Sequence, residues 1–131
     1  MNPDMAKIDE CGISELSPAA LNLMADFFKV LSQTTRLQII CSLKYGAKNV
    51  TEILEATGLG QANVSKHLKV LTQAGIVARE QQGVSVYYKI SNPFIFELCA
   101  LVCNSLVADL EQQHKPLQEL SALRNNFIHK N

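Results

Sequence analysis

No apolar run in this sequence approaches the roughly 20 residues that a membrane-spanning helix requires, so a soluble chain is expected. The opening stretch MNPDMAKIDECGISELSP is acidic and broken by Pro and Gly, without the basic-then-apolar order of a secretory signal. A cytoplasmic location is expected, with residues 1–16 as a loose leader. Nucleophile elbow, phosphate-binding glycine loop and paired-carboxylate constellation are all missing, which argues against catalysis and against a cofactor. Internal repeats and low-complexity segments are missing too. Only four cysteines are present, Cys11, Cys41, Cys99 and Cys103. In a reducing compartment they stay thiols, so they are reactive, metal-binding or simply apolar, and no disulfide framework is expected.

What is present fits one globular domain. With 131 residues, 47% of them hydrophobic and 18% charged, the chain can bury a core without staples. The formal net charge of zero hides an asymmetry. Seven basic residues (Arg36, Lys44, Lys48, Lys66, Lys69, Arg79, Lys89) face three acidic ones (Glu52, Glu55, Glu80) in the middle of the chain, and the flanks are acidic. A basic centre between acidic ends points to a polyanion, with a solvated surface as the plainer alternative.

The periodicity predicts four helices, a hairpin and a long last helix. SPAALNLMADFFKVLS offers Ser17 as N-cap, Pro18 in the first turn and Leu21, Met24, Phe28 and Leu31 at helical spacing. TTRLQIICSLKYG places Leu37, Ile40 and Cys41 on one inward face and ends at Gly46, so the second helix is expected to carry a buried thiol. NVTEILEATGLG reads as a third helix capped by Thr51 and stopped at Gly58. QANVSKHLKVLTQAG reads as a fourth, with Val64, Leu68 and Leu71 inward and Gly75 closing it. IVARE and VSVYYKIS, rich in β-branched and aromatic residues, predict two antiparallel strands around the turn QQG. NPFIFELCALVCNSLVADLEQQHK then runs as a helix from a cap at Asn92 to about His114, and residues 116–131 form a tail that can add a further helix. The long helix is apolar around most of its circumference, which calls for burial on several sides and hence a partner subunit.

Two short helices joined by a tight glycine-containing turn make a helix-turn-helix, here TEILEAT and QANVSKHLKVL across GLG. Base contacts are expected from Gln61, Asn63, Ser65, Lys66 and His67, on or near the first turns of the second helix. Gln and Asn pair bidentately with adenine, Ser donates or accepts, and Lys reaches guanine or a phosphate. Lys69 is a candidate phosphate contact.

Three stretches, FKVLSQTTRLQIICSL, VTEILEATGLGQANVSKHLKVLTQAGIV and VYYKIS, strongly resemble the ArsR/SmtB family of bacterial winged-helix repressors. The resemblance spans about residues 20–110. It implies a mainly α winged helix-turn-helix with a small β-hairpin over residues 17–115, forming a homodimer through the first and last long helices. It also implies double-stranded operator DNA as partner, the hairpin as a wing, and an inducer that loosens binding. Arg79, Gln82, Gly83 and Lys89 then belong to the wing's DNA contacts, although QQGVSV lacks the Arg that family wings often carry beside the turn glycine.

The family's third-helix thiol motif, of the form ELCVCDL, is replaced here by NVTEILEAT, which has no cysteine. Its zinc site on the last helix is matched only by Asp109, Glu111 and His114, with no further histidine until His129, so no metal site is expected. Cys41 and Cys103 match the thiol pair of the sulfide-responsive SqrR and BigR type branch. That likeness implies a redox switch in which persulfides link the two cysteines and relieve repression. Two other readings stay open. Free cysteine is a common core filler, the preferred reading for Cys99, and Cys11 reads as incidental. Alternatively Cys99 and Cys103, four residues apart on one helix face, join Cys41 as three thiolates for arsenite or a soft metal.

Overall fold

The computed structural model describes residues 15–129, with side chains to residue 125. Cys11 and most of the expected leader lie outside the described residues. The chain divides into two compact units that meet between Ser91 and Asn92.

In the first unit, α1 (Pro18–Val30) starts where expected. The Ser17 hydroxyl accepts from the Ala20 N–H at 3.2 Å, and Pro18 stands in the first turn, where its missing N–H costs nothing. No residue of α1 is buried in the single chain. α2 (Thr34–Ser42) buries Ile39 and Ile40, and Leu43 follows them inward just past its end. This corrects the expected face. Leu37 and Cys41 are exposed, and the helix stops at Ser42, ahead of Gly46.

α3 (Val50–Thr57) is capped by Asn49, not Thr51. The Asn49 side chain accepts from the Glu52 N–H at 2.8 Å, and the Glu52 carboxylate accepts from the Asn49 N–H at 3.1 Å. This reciprocal box needs a short acceptor three residues before Glu52, a spacing Asn49 has and Thr51 lacks. Gly58 ends α3 in the left-handed region at φ 72°, its N–H donating to the Leu54 carbonyl at 2.8 Å. α4 (Gln61–Gln73) begins three residues later and packs against α2, α3 and the first strand. Its buried residues Val64, Leu68 and Leu71 join Ile39, Ile40, Ile53, Ile76 and Val77 in one core.

The strands β1 (Val77–Gln82) and β2 (Ser85–Ile90) pair antiparallel, with Val77 opposite Ile90 and Arg79 opposite Tyr88. Pairing reaches Gln82 and Ser85, so Gln81 and Gln82 lie in the strand and the turn is the pair Gly83–Val84. Gly83 takes φ +64° at the first turn position, which suits a two-residue hairpin following the strand twist. Lys48 adds a bridge to Tyr88 on the other side of β2, through backbone hydrogen bonds of 3.0 and 2.8 Å.

The second unit is α5 (Phe94–His129), 36 residues long, with the Asn92 side chain accepting from the Phe94 N–H at 3.1 Å. The expected end near His114 and the separate tail from residue 116 are not seen, because the helix continues through Pro116. Proline removes one N–H and crowds the carbonyl four residues back. Good helix formers on both sides (Leu110, Glu111, Gln112 before; Leu117, Gln118, Glu119, Leu120 after) let the helix resume. Leu101, Val102, Leu106, Val107 and Leu110 are all more than half exposed in the single chain.

Candidate nucleic-acid interface and thiols

The turn between α3 and α4 is tied down from α3. The Thr57 hydroxyl donates to the Ile53 carbonyl at 2.7 Å and accepts from the Leu59 N–H at 3.3 Å. Gly60 precedes α4 without a side-chain cap, so the first N–H groups of that helix have no side-chain acceptor. With its apolar stripe fixed in the core, α4 turns Gln61, Asn63, Ser65, Lys66 and Lys69 to solvent. Five of the six predicted residues of this helix thus share one exposed polar surface.

The sixth does not. His67 is only 6% exposed and faces inward, which corrects its place among the base contacts. Its Nδ1 accepts from Arg36 Nε at 3.1 Å, and Arg36 Nη1 also donates to the Val30 carbonyl at 3.1 Å. Helical spacing explains the error: at about 100° per residue His67 lies beside Val64 and Leu71, on the edge of the buried stripe. Burial pushes its pKa below the ordinary histidine value, and the positive charges of Arg36 and Lys66 push the same way.

Beside α4, a cleft of about 220 Å³ is lined by Ser65, Lys69, Thr72 and Gln73 from the helix and by Arg79 and Tyr88 from the hairpin. Two cations from separate elements meet here with the Ser65 and Tyr88 hydroxyls and the Gln73 amide, a donor set suited to a phosphodiester, while the Thr72 hydroxyl donates to the Leu68 carbonyl at 2.7 Å. Tyr88, Thr72 and Gln73 were not among the expected site residues. The hairpin register, which puts Tyr88 opposite Arg79, is the signal that would have found the tyrosine. Lys89 instead pairs with Glu80 at 3.3 Å, both side chains about half exposed. Gln82 and Gly83 sit at the exposed tip of the hairpin, with no charge.

Cys41 belongs to the first unit, Cys99 and Cys103 to the second. Cys41 is exposed in a surface cleft of about 450 Å³, walled by Thr34, Gln38 and Ser42 of α2 and by Ala56 and Thr57 at the end of α3. On α5, Cys103 is exposed and Cys99 half-buried. Among the described residues no group of three His, Cys, Asp or Glu side chains gathers where it could hold a metal ion. His114 is exposed, and nothing is described of the His129 side chain.

A helix-turn-helix with an exposed polar second helix, flanked by a hairpin, defines a winged helix-turn-helix of the DNA-binding class. Comparison with known proteins gives the family. The model of the family described as "Bacterial regulatory protein, arsR family" matches residues 33–79. The HTH-type transcriptional regulator Rv0081 of Mycobacterium tuberculosis, itself described as uncharacterized, is 36% identical over 101 residues, covering 76% of this chain and 89% of that one. Its crystal structure aligns with a TM-score of 0.67 at 34% identity, over 75% of this chain and 98% of that one. The solution structure of the homodimeric winged helix-turn-helix DNA-binding domain of Mb0332 from Mycobacterium bovis aligns with a TM-score of 0.64 at 32% identity, over 76% and 94% of the two chains. The biofilm growth-associated repressor of Xylella fastidiosa is 33% identical over 70 residues, 53% of this chain and 61% of that one.

The chain belongs to the arsR family of bacterial regulatory proteins. It is a DNA-binding transcriptional regulator and not an enzyme. Among the described residues no helix is long and apolar enough to cross a membrane.

Proposed function

We propose that the protein is a cytoplasmic, homodimeric repressor that holds operator DNA through α4 and the Lys69–Arg79 cleft, and releases it when persulfides oxidise Cys41 and Cys103. The observation that carries the DNA reading is the exposed row Gln61, Asn63, Ser65, Lys66 and Lys69 on a helix anchored from behind. The homodimer is supported by the exposed apolar residues of α5 and by the homodimeric domain from M. bovis.

The thiol reading is supported by the exposure of both cysteines and by the resemblance to the sulfide-responsive branch. In that reaction one thiolate attacks the outer sulfur of RSSH and displaces RS⁻, leaving a protein persulfide. The second thiolate attacks the protein-bound sulfur and expels HS⁻. Two protein thiols lose two electrons, sulfane sulfur gains them, and a Cys41–Cys103 disulfide remains. Further sulfane sulfur would lengthen the bridge and relax the roughly 7 Å limit on Cα separation. An adduct at Cys41 would fill a cleft bordered by Ala56 and Thr57, the residues just before the turn into α4.

The test treats the reduced protein with an organic persulfide, then measures DNA binding by gel shift and the bridge by mass spectrometry. The wild type should lose DNA and gain an intrachain Cys41–Cys103 link. Cys41→Ser and Cys103→Ser should bind DNA and ignore the inducer. Release by arsenite with no response to persulfide would replace this reading with three-thiolate sensing through Cys41, Cys99 and Cys103.

A further inference from the structure

Among the described residues of the first unit His67 is the one buried polar side chain, and burial takes it off the exposed face of α4. The apolar contacts of Val64, Leu68 and Leu71 set which face of α4 is buried, but being non-directional they tolerate small rotations about that setting. The bond from Arg36 Nε to His67 Nδ1 is directional, and the second bond, from Arg36 Nη1 to the Val30 carbonyl, anchors the same guanidinium to the last turn of α1. Asn63 lies one turn before His67 and only about 40° away around the helix axis. A tilt at His67 is therefore passed directly to the exposed Asn63.

We propose that Arg36 and His67 are positioning residues for DNA reading, a latch that sets the rotation of α4 by tying its buried edge to the end of α1. The inference rests on α4 being the DNA-reading helix.

The latch exists in one protonation state. Because Nδ1 accepts, the neutral ring carries its proton on Nε2. No buried side-chain nitrogen or oxygen among the described residues lacks a hydrogen-bond partner, so Nε2 is satisfied or reaches solvent. A second proton on Nδ1 would aim a donor at the guanidinium N–H and set two cations together. The charges that bear on the ring are Arg36 from α2 and Lys66 from its own helix, both positive. The acids Glu52 and Glu55 of α3 and Glu80 of β1, and Arg79 beside it, do not contribute. Among the described residues no carboxylate contributes to stabilising the imidazolium.

The experiment uses the full chain and a duplex that the wild type selects from a randomised library, with a scrambled duplex as reference. Arg36→Lys and His67→Phe should each weaken binding to the selected duplex about tenfold, the cost of a charge-assisted hydrogen bond, while leaving binding to the scrambled duplex nearly unchanged. His67→Asn keeps an acceptor at the Nδ1 position and should bind the selected duplex as the wild type does at pH 7.5. Lowering the pH to the lowest value at which the fold persists should then cost the wild type its preference for the selected duplex but leave His67→Asn unaffected. Circular dichroism at both pH values separates this from unfolding, and if His67→Phe fails to fold, the pH profile of His67→Asn decides alone. The proposal is overturned if His67→Asn loses discrimination in acid as the wild type does, or if folded Arg36→Lys discriminates normally. A wild type that selects no sequence at all would defeat the DNA-reading premise instead.

Discussion

Salt dependence puts a number on the Lys69–Arg79 cleft. Each phosphate charge neutralised by a protein cation releases condensed counterion, contributing about −0.9 to the slope of log K against log salt. With both cations seated on phosphates in each half of a dimer, four contacts add about −3.6 to that slope. Over a fourfold change, from about 50 to 200 mM salt, these contacts alone account for roughly a 150-fold loss of affinity. The double variant Lys69→Ala/Arg79→Ala should therefore bind more weakly at low salt but lose much less on addition of salt, its slope shallower by about 3.6. Lys89→Ala is the internal control. Its ammonium already pairs with Glu80 at 3.3 Å, so removing it should change the slope by less than removing either cleft cation. Fluorescence anisotropy titrations at five salt concentrations supply the slopes. A double variant whose slope equals that of the wild type, or a larger change for Lys89→Ala, would show that the cleft holds no phosphate.

Asn63→Ala should lose about 1 to 3 kcal/mol of discrimination at one base position, read by competition between single-base variants of the selected duplex; equal losses on every duplex would remove Asn63 from the reading set. Asn49→Ala breaks the capping box of α3 and should lower stability by about 1 kcal/mol in urea unfolding. The pH dependence of stability follows from His67, whose pKa is lowered in the folded chain. The unfolded chain takes up the proton first, so the histidine's contribution is complete above the unfolded value near 6.5 and is lost as pH falls below it toward the lowered folded value. Urea midpoints should accordingly fall for the wild type between pH 7 and 5 by more than for His67→Asn, and parallel declines would contradict the burial of this ring.

Much of the helix-turn-helix frame was legible because its signals are local. Ser17–Pro18, the helix end at Gly58 and the apolar spacing Val64, Leu68, Leu71 each specify their element within a turn or two of the chain. The errors share a different cause. Leu37, Ile40 and Cys41 and the observed set Ile39, Ile40 and Leu43 are both compatible with a helix as short as α2, and only the neighbours in space choose between them. His67 was misplaced because a polar residue on a polar helix reads as exposed, whereas its partner Arg36 lies 31 residues away. The expected end near His114 falls short because the helix-forming sequence on both sides carries α5 through Pro116.

The corrected face of α2 changes what that helix can do. Arg36 and Cys41 are five residues apart, about 7.5 Å along the axis and about 140° around it, so one reaches α4 while the other faces the cleft beside the end of α3. A nine-residue helix is too short to bend appreciably, so a displacement at one end moves the other. Had Cys41 been buried as the sequence suggested, an adduct there would have had to break the core. Exposed, it can shift α2 without unfolding anything, and the bonds that such a shift strains first are the directional ones of Arg36. If Cys41 senses as proposed, that thiol and the latch act on one rigid element, and relief of repression would require a change in the set of α4, not loss of the fold.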